Sequence, residues 1–528
     1  MSKNHCLPQW NVRTALSILL VLAVGRLVWI LEPFGVSVDE STYMAIAEAW
    51  HHYGRLYVDA VDRKPPFLYG LYDLIGNVFG FWNIHGVHFC YFLIAFLLCW
   101  LIDFAANLIS LGGGQNSNPA PTTPRTGLLY AIISASFTRE FVSCNSEVAM
   151  MVPLALAFLI LFWVAGKPKT SIRILFACVF VASALGAVAT LFKEVAALPY
   201  AFAIIAWSIF LVVKKDYKAV ACISIATLLG VTIVYGLLSY GFYRAGSFHD
   251  LVFWNLIDNF SYVKDAKLLE TKPRPIFSPL LISMICWPVL WWGSLRRIRK
   301  IKKESRAAII VILYAGTSGA LILISVAGRL FSHYFVPFSW FMTLFASAEV
   351  SRLFSERSFR GWVKAGLALP FCIFFALTTF RDEVFSIVLP GKKVHSFDRI
   401  TQSSINRISE DVKKMTSPSD RIVVWGMASQ IYVESQRGSG TRFIPADYAS
   451  GRLGGFASKV KNPAARGMKL YLQDIENKKP LLFVDTSTAK INDYQYFPIS
   501  DYPELQALLN RSYEYIGMVD DYGIWKRK

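Results

Sequence analysis

The chain has 528 residues, of which 54% are hydrophobic and only 17% charged, and its mean hydropathy is positive at +0.42. That composition excludes an ordinary water-soluble globule, in which about a quarter of residues carry charge. The formal net charge of +18 invites a nucleic-acid reading, but the long apolar runs beside it make a membrane explanation the first to test.

Taken in chain order, apolar runs predict about eleven transmembrane helices, at 14–31, 86–111, 126–142, 147–166, 172–192, 195–213, 219–241, 276–295, 307–326, 330–349 and 363–380. The first run is too long, and lacks the small-residue cleavage site, to be a cleaved signal peptide. Placing the loops alternately on two sides puts 20 Lys/Arg against four Asp/Glu on one side, the run Arg296 to Arg306 foremost, and 11 against 14 on the other. Short loops rich in Lys/Arg stay cytoplasmic, so the basic side is inside. Most of the positive charge is then a topology signal, and no nucleic-acid partner is expected.

The predicted organisation is mainly α. A polytopic membrane domain spans 1–380, with a large first outer loop at 32–85, and an extracytoplasmic α/β domain spans 381–528. In that tail, strands are expected at Arg421–Gly426 and Leu481–Thr486, with helices near 396–415, 428–436 and 502–511. Gly438-Ser-Gly440 and the glycines at 451–455 do not follow a strand as GxGxxG, and read as loops rather than a phosphate cradle. The eight cysteines stand singly, with no Cys-x-x-Cys pair, so neither a zinc site nor a disulfide framework is indicated.

The first outer loop is far longer than a connection requires. Val38-Asp39-Glu40-Ser-Thr-Tyr43 opens an amphipathic helix that stops at Gly54. Tyr57, Asp59 and Asp62-Arg63-Lys64-Pro65-Pro66 follow, and then a second apolar helix from Phe67 to Phe79. Two helices lying along the interface suit a cavity at the membrane surface. A partly shielded Asp39 carboxylate can accept a proton from a nucleophile. Its bland alternative is a helix N-cap. Other charges sit at the outer rim of the spans: Arg139 and Glu140, Glu147 beside Asn145, Lys193 and Glu194, and Arg329 with His333 and Tyr334. Such charges are either functional or paired, for example Arg139 with Glu147.

Asp39-Glu40-x-x-Tyr43, Gly54-x-Leu-Tyr57, Asp62-Arg-Lys64-Pro65-Pro66, Phe141-Val-Ser-Cys-Asn145-Ser-Glu147 and Gly328-Arg329-x-x-x-His333-Tyr334 together resemble the GT-C glycosyltransferases. The nearest group is the bacterial relatives of the protein O-mannosyltransferases and aminoarabinose transferases. The resemblance implies a polyprenyl-phosphate-linked sugar donor, used at the outer face of a bacterial cytoplasmic membrane. The acceptor would be a lipid, glycan or protein. It makes Asp39 the general base of an inverting displacement, with Glu40 holding the acceptor or orienting Asp39. Lys64 would contact the donor phosphate, with Arg139, Lys193, Arg329, His333 and Tyr334 as further phosphate ligands. Tyr43, Tyr57, Asp62, Asn145 and Glu147 would line the substrate cavity. The outer domain would help choose or admit the acceptor.

No nucleotide is required, in keeping with the lack of a P-loop or Rossmann fingerprint. Some relatives carry a metal-ligating acid where this chain has Arg63. The spacing of His51, His52, His85 and His88 makes no ligand set, so no obligatory metal or other cofactor is expected. The rival readings are a transporter or flippase of polyprenyl-linked sugars, and a structural membrane protein whose outer domain binds a partner. A transport path usually holds polar residues near the midplane, and here there are few, Arg26 and Asp103.

Overall fold

The structure is a computed structural model that describes residues 10–31, 33, 37–110, 125–135, 139–167, 170–261, 264, 277–298, 307–326, 331–355, 373, 397–452 and 467–528. The chain packs as two units. One comprises 1–30, 89–238 and 274–392, and the other 31–88, 239–273 and 393–528.

The first unit is helical. Among the described residues, six helices are long and apolar enough to cross a membrane: Ile84–Ile109, Ser146–Ala165, Ile172–Thr190, Glu194–Val213, Tyr217–Arg244 and Ala307–Ile324. Four predicted spans take other forms, the run at 330–349 as a 3-10 turn at Ser332–Tyr334 that leads into helix Phe335–Ser355. The run at 126–142 is a ten-residue helix, Arg125–Ser134, followed by a 3-10 turn at Arg139–Val142. At 1.5 Å per residue such a helix reaches only about half of the hydrocarbon thickness. The run at 276–295 divides into Phe277–Cys286 and Pro288–Ile298. Pro288 offers no N–H and bars Trp287 from continuing the first helix, yet suits the first position of the second. The first run forms helix Val12–Val24 and a short helical turn at Val28–Leu31. The run at 363–380 lies outside the described residues.

Aromatic and small residues close the core of this unit. Phe158 meets Phe341 edge-on at 4.6 Å, and Trp287 and Trp340 are fully buried. Helix Ala307–Val326 approaches helix Ala197–Val213 at Gly319, where an added Cβ would meet Pro199 Cα at 2.7 Å. Helices in lipid have little hydrophobic drive to associate, so such close backbone packing carries much of their affinity. The buried Asp103 caps a neighbouring helix. It accepts hydrogen bonds from the Gly127 N–H at 2.9 Å and from Trp10 Nε1 at 2.8 Å. An intramembrane carboxylate held this way is structural.

The second unit joins the first outer loop to the C-terminal residues. Its sheet has strands β1 (Ile422–Trp425), β2 (Leu482–Asp485), β3 (Tyr513–Val519) and β4 (Tyr522–Arg527), in the order β1-β2-β4-β3. β1 and β2 run parallel, and both are buried throughout. The C-terminal hairpin β3–β4 runs antiparallel and turns at Asp520-Asp521, both at positive φ, the mirror-image turn geometry that matches strand twist. Helices Phe397–Met415, Gln430–Ser435 and Pro503–Ser512 form close to the expected positions. Gly438 belongs to a segment that bonds to β1. The Ile422 N–H donates to its carbonyl, and a Cβ there would collide with the Arg421 guanidinium. Its small size serves close approach, not phosphate binding.

Candidate active site

Helix Val38–Tyr53 begins with Ser37, whose hydroxyl accepts the Asp39 N–H at 3.2 Å. Ser37 is therefore the cap, which leaves the Asp39 carboxylate free of that task. The helix ends at Gly54 (φ +94°), whose N–H bonds to the Trp50 carbonyl at 2.7 Å. Tyr43 lies one turn after Asp39 on the same face, and its hydroxyl donates to Asp39 Oδ2 at 3.1 Å.

The turn Asp62-Arg63-Lys64-Pro65-Pro66 delivers the cation. Two prolines hold the backbone extended and then start helix Pro66–Phe79. Tyr57 anchors the turn by donating to the Lys64 carbonyl at 2.7 Å, from a backbone at φ +69° that non-glycine residues rarely adopt. Lys64 Nζ then sits 3.9 Å from Asp39 and 3.8 Å from Asp62, and 4.8 Å over the Tyr43 ring. Lys64 and Asp39 are both about a quarter exposed, so the pair faces an accessible surface.

Asp62 is the buried member. Tyr69 donates to its Oδ2 at 2.5 Å and Tyr448 to its Oδ1 at 2.8 Å. Burial works against its charge, but Lys64, the two phenols and the Arg63 N–H outweigh that, and Asp62 is held below the ordinary carboxylate value. Burial and the Asp62 charge push both tyrosines well above the usual phenol range, so they remain donors. With its folded pKa depressed, Asp62 stabilises the fold fully above its unfolded value of about 3.9 and loses that contribution as pH falls through the lower folded value. Melting measured from pH 7 down to pH 3 should thus fall more steeply at the acid end for the native protein than for Asp62→Asn. Parallel acid slopes would contradict a charged Asp62.

Arg63 turns the other way. Its Nε reaches the buried Asp258 at 2.8 Å, its carbonyl accepts from Asn255 at 2.8 Å, and its guanidinium lies 4.2 Å over the Tyr448 ring. Asn255 belongs to a π-turn at Phe253–Ile257, a distortion frequent at functional sites, and Asp258 follows directly after it.

Glu40 does not share the Asp39 site. Successive helical residues point about 100° apart, and Glu40 is 1% exposed with its carboxylate 3.0 Å from His88 Nε2.

A second cluster forms inside the first unit. Asn145 precedes helix Ser146–Ala165 and donates to Ser143 Oγ at 2.6 Å. Glu147, 1% exposed, accepts the Ser146 hydroxyl at 2.9 Å, with Lys193 Nζ at 3.4 Å and His333 Nε2 at 3.9 Å. Lys193 lies 5.6 Å over the Tyr334 ring. Burial alone would lower Lys193, but Glu147 beside it reverses this and holds it above its ordinary value, fully charged. Lys193, His333 and Tyr334, expected as phosphate ligands, thus gather around one buried carboxylate. Arg329 and the side chain of Arg139 lie outside the described residues, so the expected Arg139–Glu147 pair does too. Glu147→Ala would strand the Lys193 cation and is expected to cost about 3–5 kcal/mol, read as a lower melting temperature of the detergent-purified protein. An unchanged melting temperature would show that Lys193 has another partner.

The motifs marked Asp39, Lys64 and Asp62, but not Tyr69, Tyr448, Asp258 or Asn255. Tyr69 was within reach, since it stands one turn into the helix that the Lys-Pro-Pro turn begins. Tyr448 lies 386 residues from Asp62, and nothing local marks it.

No protein-family model and no curated protein matches the chain. Among solved structures it is similar to ArnT from Cupriavidus metallidurans bound to undecaprenyl phosphate, with a TM-score of 0.57 and 13% identity over 96% of this chain and 97% of that one. It is also similar to the oligosaccharyltransferase of Archaeoglobus fulgidus in complex with Zn and sulfate, with a TM-score of 0.52 and 13% identity over 97% of this chain and 73% of that one. At such identity the likeness is one of fold: the chain shares the fold of these two proteins.

Proposed function

We propose that this protein is an inverting glycosyltransferase. It moves a sugar from a polyprenyl-phosphate donor to an acceptor hydroxyl, or a similar nucleophile, on a lipid, glycan or protein. The observation that carries the reading is the partly exposed Asp39–Lys64 pair at 3.9 Å, with the helix capped by Ser37 and the carboxylate left for chemistry. Asp39 takes the acceptor proton as the acceptor oxygen attacks the anomeric carbon from the face opposite the phosphate. The carbon–oxygen bond to the phosphate breaks, and the leaving polyprenyl phosphate gains negative charge that Lys64 stabilises. Two supports lie outside the pair: the fold is shared with a protein crystallised with undecaprenyl phosphate, and Lys193 and His333 lie together beside Glu147. The Lys/Arg bias of the loops supports a first outer loop and C-terminal domain that face the outer side of the membrane.

The test is reconstitution in lipid vesicles with a radiolabelled polyprenyl-phosphate sugar and cell-envelope acceptors. Label appearing in an acceptor, with release of polyprenyl phosphate, supports the reading. Label that only crosses the bilayer, with the sugar–phosphate bond intact, makes the protein a flippase and overturns it.

A further inference from the structure

Several hydrogen bonds tie residues 421–448 to the first outer loop. Thr42 donates to Ser429 Oγ at 2.8 Å. Arg421 reaches both oxygens of Glu48, at 2.8 and 2.9 Å. The Val61 N–H donates to the Arg442 carbonyl at 2.9 Å. These three hold the helix and the start of the turn. One more, from Tyr448 to Asp62 at 2.8 Å, reaches the carboxylate beside Lys64. Tyr448 is 5% exposed, and its ring is packed by Phe443 at 5.4 Å, Trp254 at 5.5 Å and the Arg63 guanidinium at 4.2 Å. Its hydroxyl therefore has one place to be.

We propose that Tyr448 is a positioning residue for the sugar-transfer site: it fixes the Asp62 carboxylate on which Lys64 is seated, and so makes the C-terminal domain part of the machinery that places the phosphate-binding cation. The proposal rests on Lys64 as the phosphate ligand. A carboxylate held by Lys64, two phenols and the Arg63 N–H has a single orientation. Losing one lets it rotate, and the ammonium 3.8 Å away follows. The groups facing Asp62 are Lys64 and Arg63 from its own turn, Tyr69 from the next helix and Tyr448 from the C-terminal domain. Asp39 stands beyond Lys64, and Asp258 beyond Arg63.

The test uses the full-length protein in lipid vesicles. Tyr448→Phe keeps the ring and its packing and removes only the hydroxyl. Undecaprenyl phosphate, the probe, should bind about tenfold more weakly, the worth of one hydrogen bond to a charged group. Asp62 is then easier to protonate, so the acid limb of binding should move to higher pH. Amide exchange should quicken across residues 57–65 while the amides of β1 and β2 stay as protected as before. Asp62→Asn should show the same loss of affinity, and the double variant no more than that single one, because both act through one carboxylate.

A merely structural tyrosine would lower the melting temperature and loosen β1 and β2, leaving phosphate affinity and the acid limb unmoved. That result, or effects of the two variants that add, overturns the proposal. Failure of the native protein to bind undecaprenyl phosphate would sink the proposed function instead. Exchange then decides the positioning alone: faster exchange confined to 57–65 in Tyr448→Phe supports it, and unchanged exchange there overturns it.

Discussion

Asp39→Asn is expected to lower sugar transfer by about 10²–10⁴-fold, the usual worth of a positioned general base. Asparagine has the same shape and still accepts the Tyr43 hydroxyl, so the geometry at 3.1 Å survives. It cannot take a proton. Stability should change little, since Ser37 holds the cap, the partly exposed pair with Lys64 is worth little, and the charge near the helix N-terminus adds about 0.3–1 kcal/mol. Donor affinity should also survive, because the cation is untouched. Turnover, melting temperature and undecaprenyl phosphate binding, measured on one preparation, separate these effects. Transfer within a few fold of the native rate would remove Asp39 from catalysis.

Lys64→Ala is expected to have the next largest effect, about 10²–10³-fold in transfer, as for loss of one preorganised group at a developing oxyanion. Here donor binding weakens as well. The variant also leaves Asp39 and Asp62 facing a shared gap without the cation that lay 3.9 and 3.8 Å from them. Asp62, which Lys64 helps to hold charged, should then be easier to protonate and move the acid limb of activity upward. Lys64→Arg keeps the charge with a different shape and should restore part of the loss. Normal donor affinity in Lys64→Ala, with only acceptor binding lost, would contradict the phosphate role.

These two residues were legible because their signals are local. Asp39 and Tyr43 stand at helical spacing, and the Lys-Pro-Pro turn fixes where Lys64 emerges. Asp62 was legible as a residue, but its surroundings were not: in place of a cavity wall it is a buried anchor between two phenols. Glu40 has the same local pattern as Asp39, and only the side of the helix that the fold buries separates them. The Glu147 cluster draws on three separate stretches of chain. The sequence marked each of its members and could not say that they share one carboxylate.

The chain chemistry by itself determined the membrane class, the long loop after the first apolar run and the small α/β tail. Hydrophobic run length, Lys/Arg bias and strand pattern are properties of neighbouring residues and need no knowledge of contacts. The tertiary structure alone decided that the first outer loop packs with residues 393–528, that Tyr448 reaches Asp62 across 386 positions, and that Arg63 faces Asp258 rather than the pair at Lys64. Such pairings are set by which buried charges must find partners once the chain has folded, and that requirement leaves no periodic trace in the sequence.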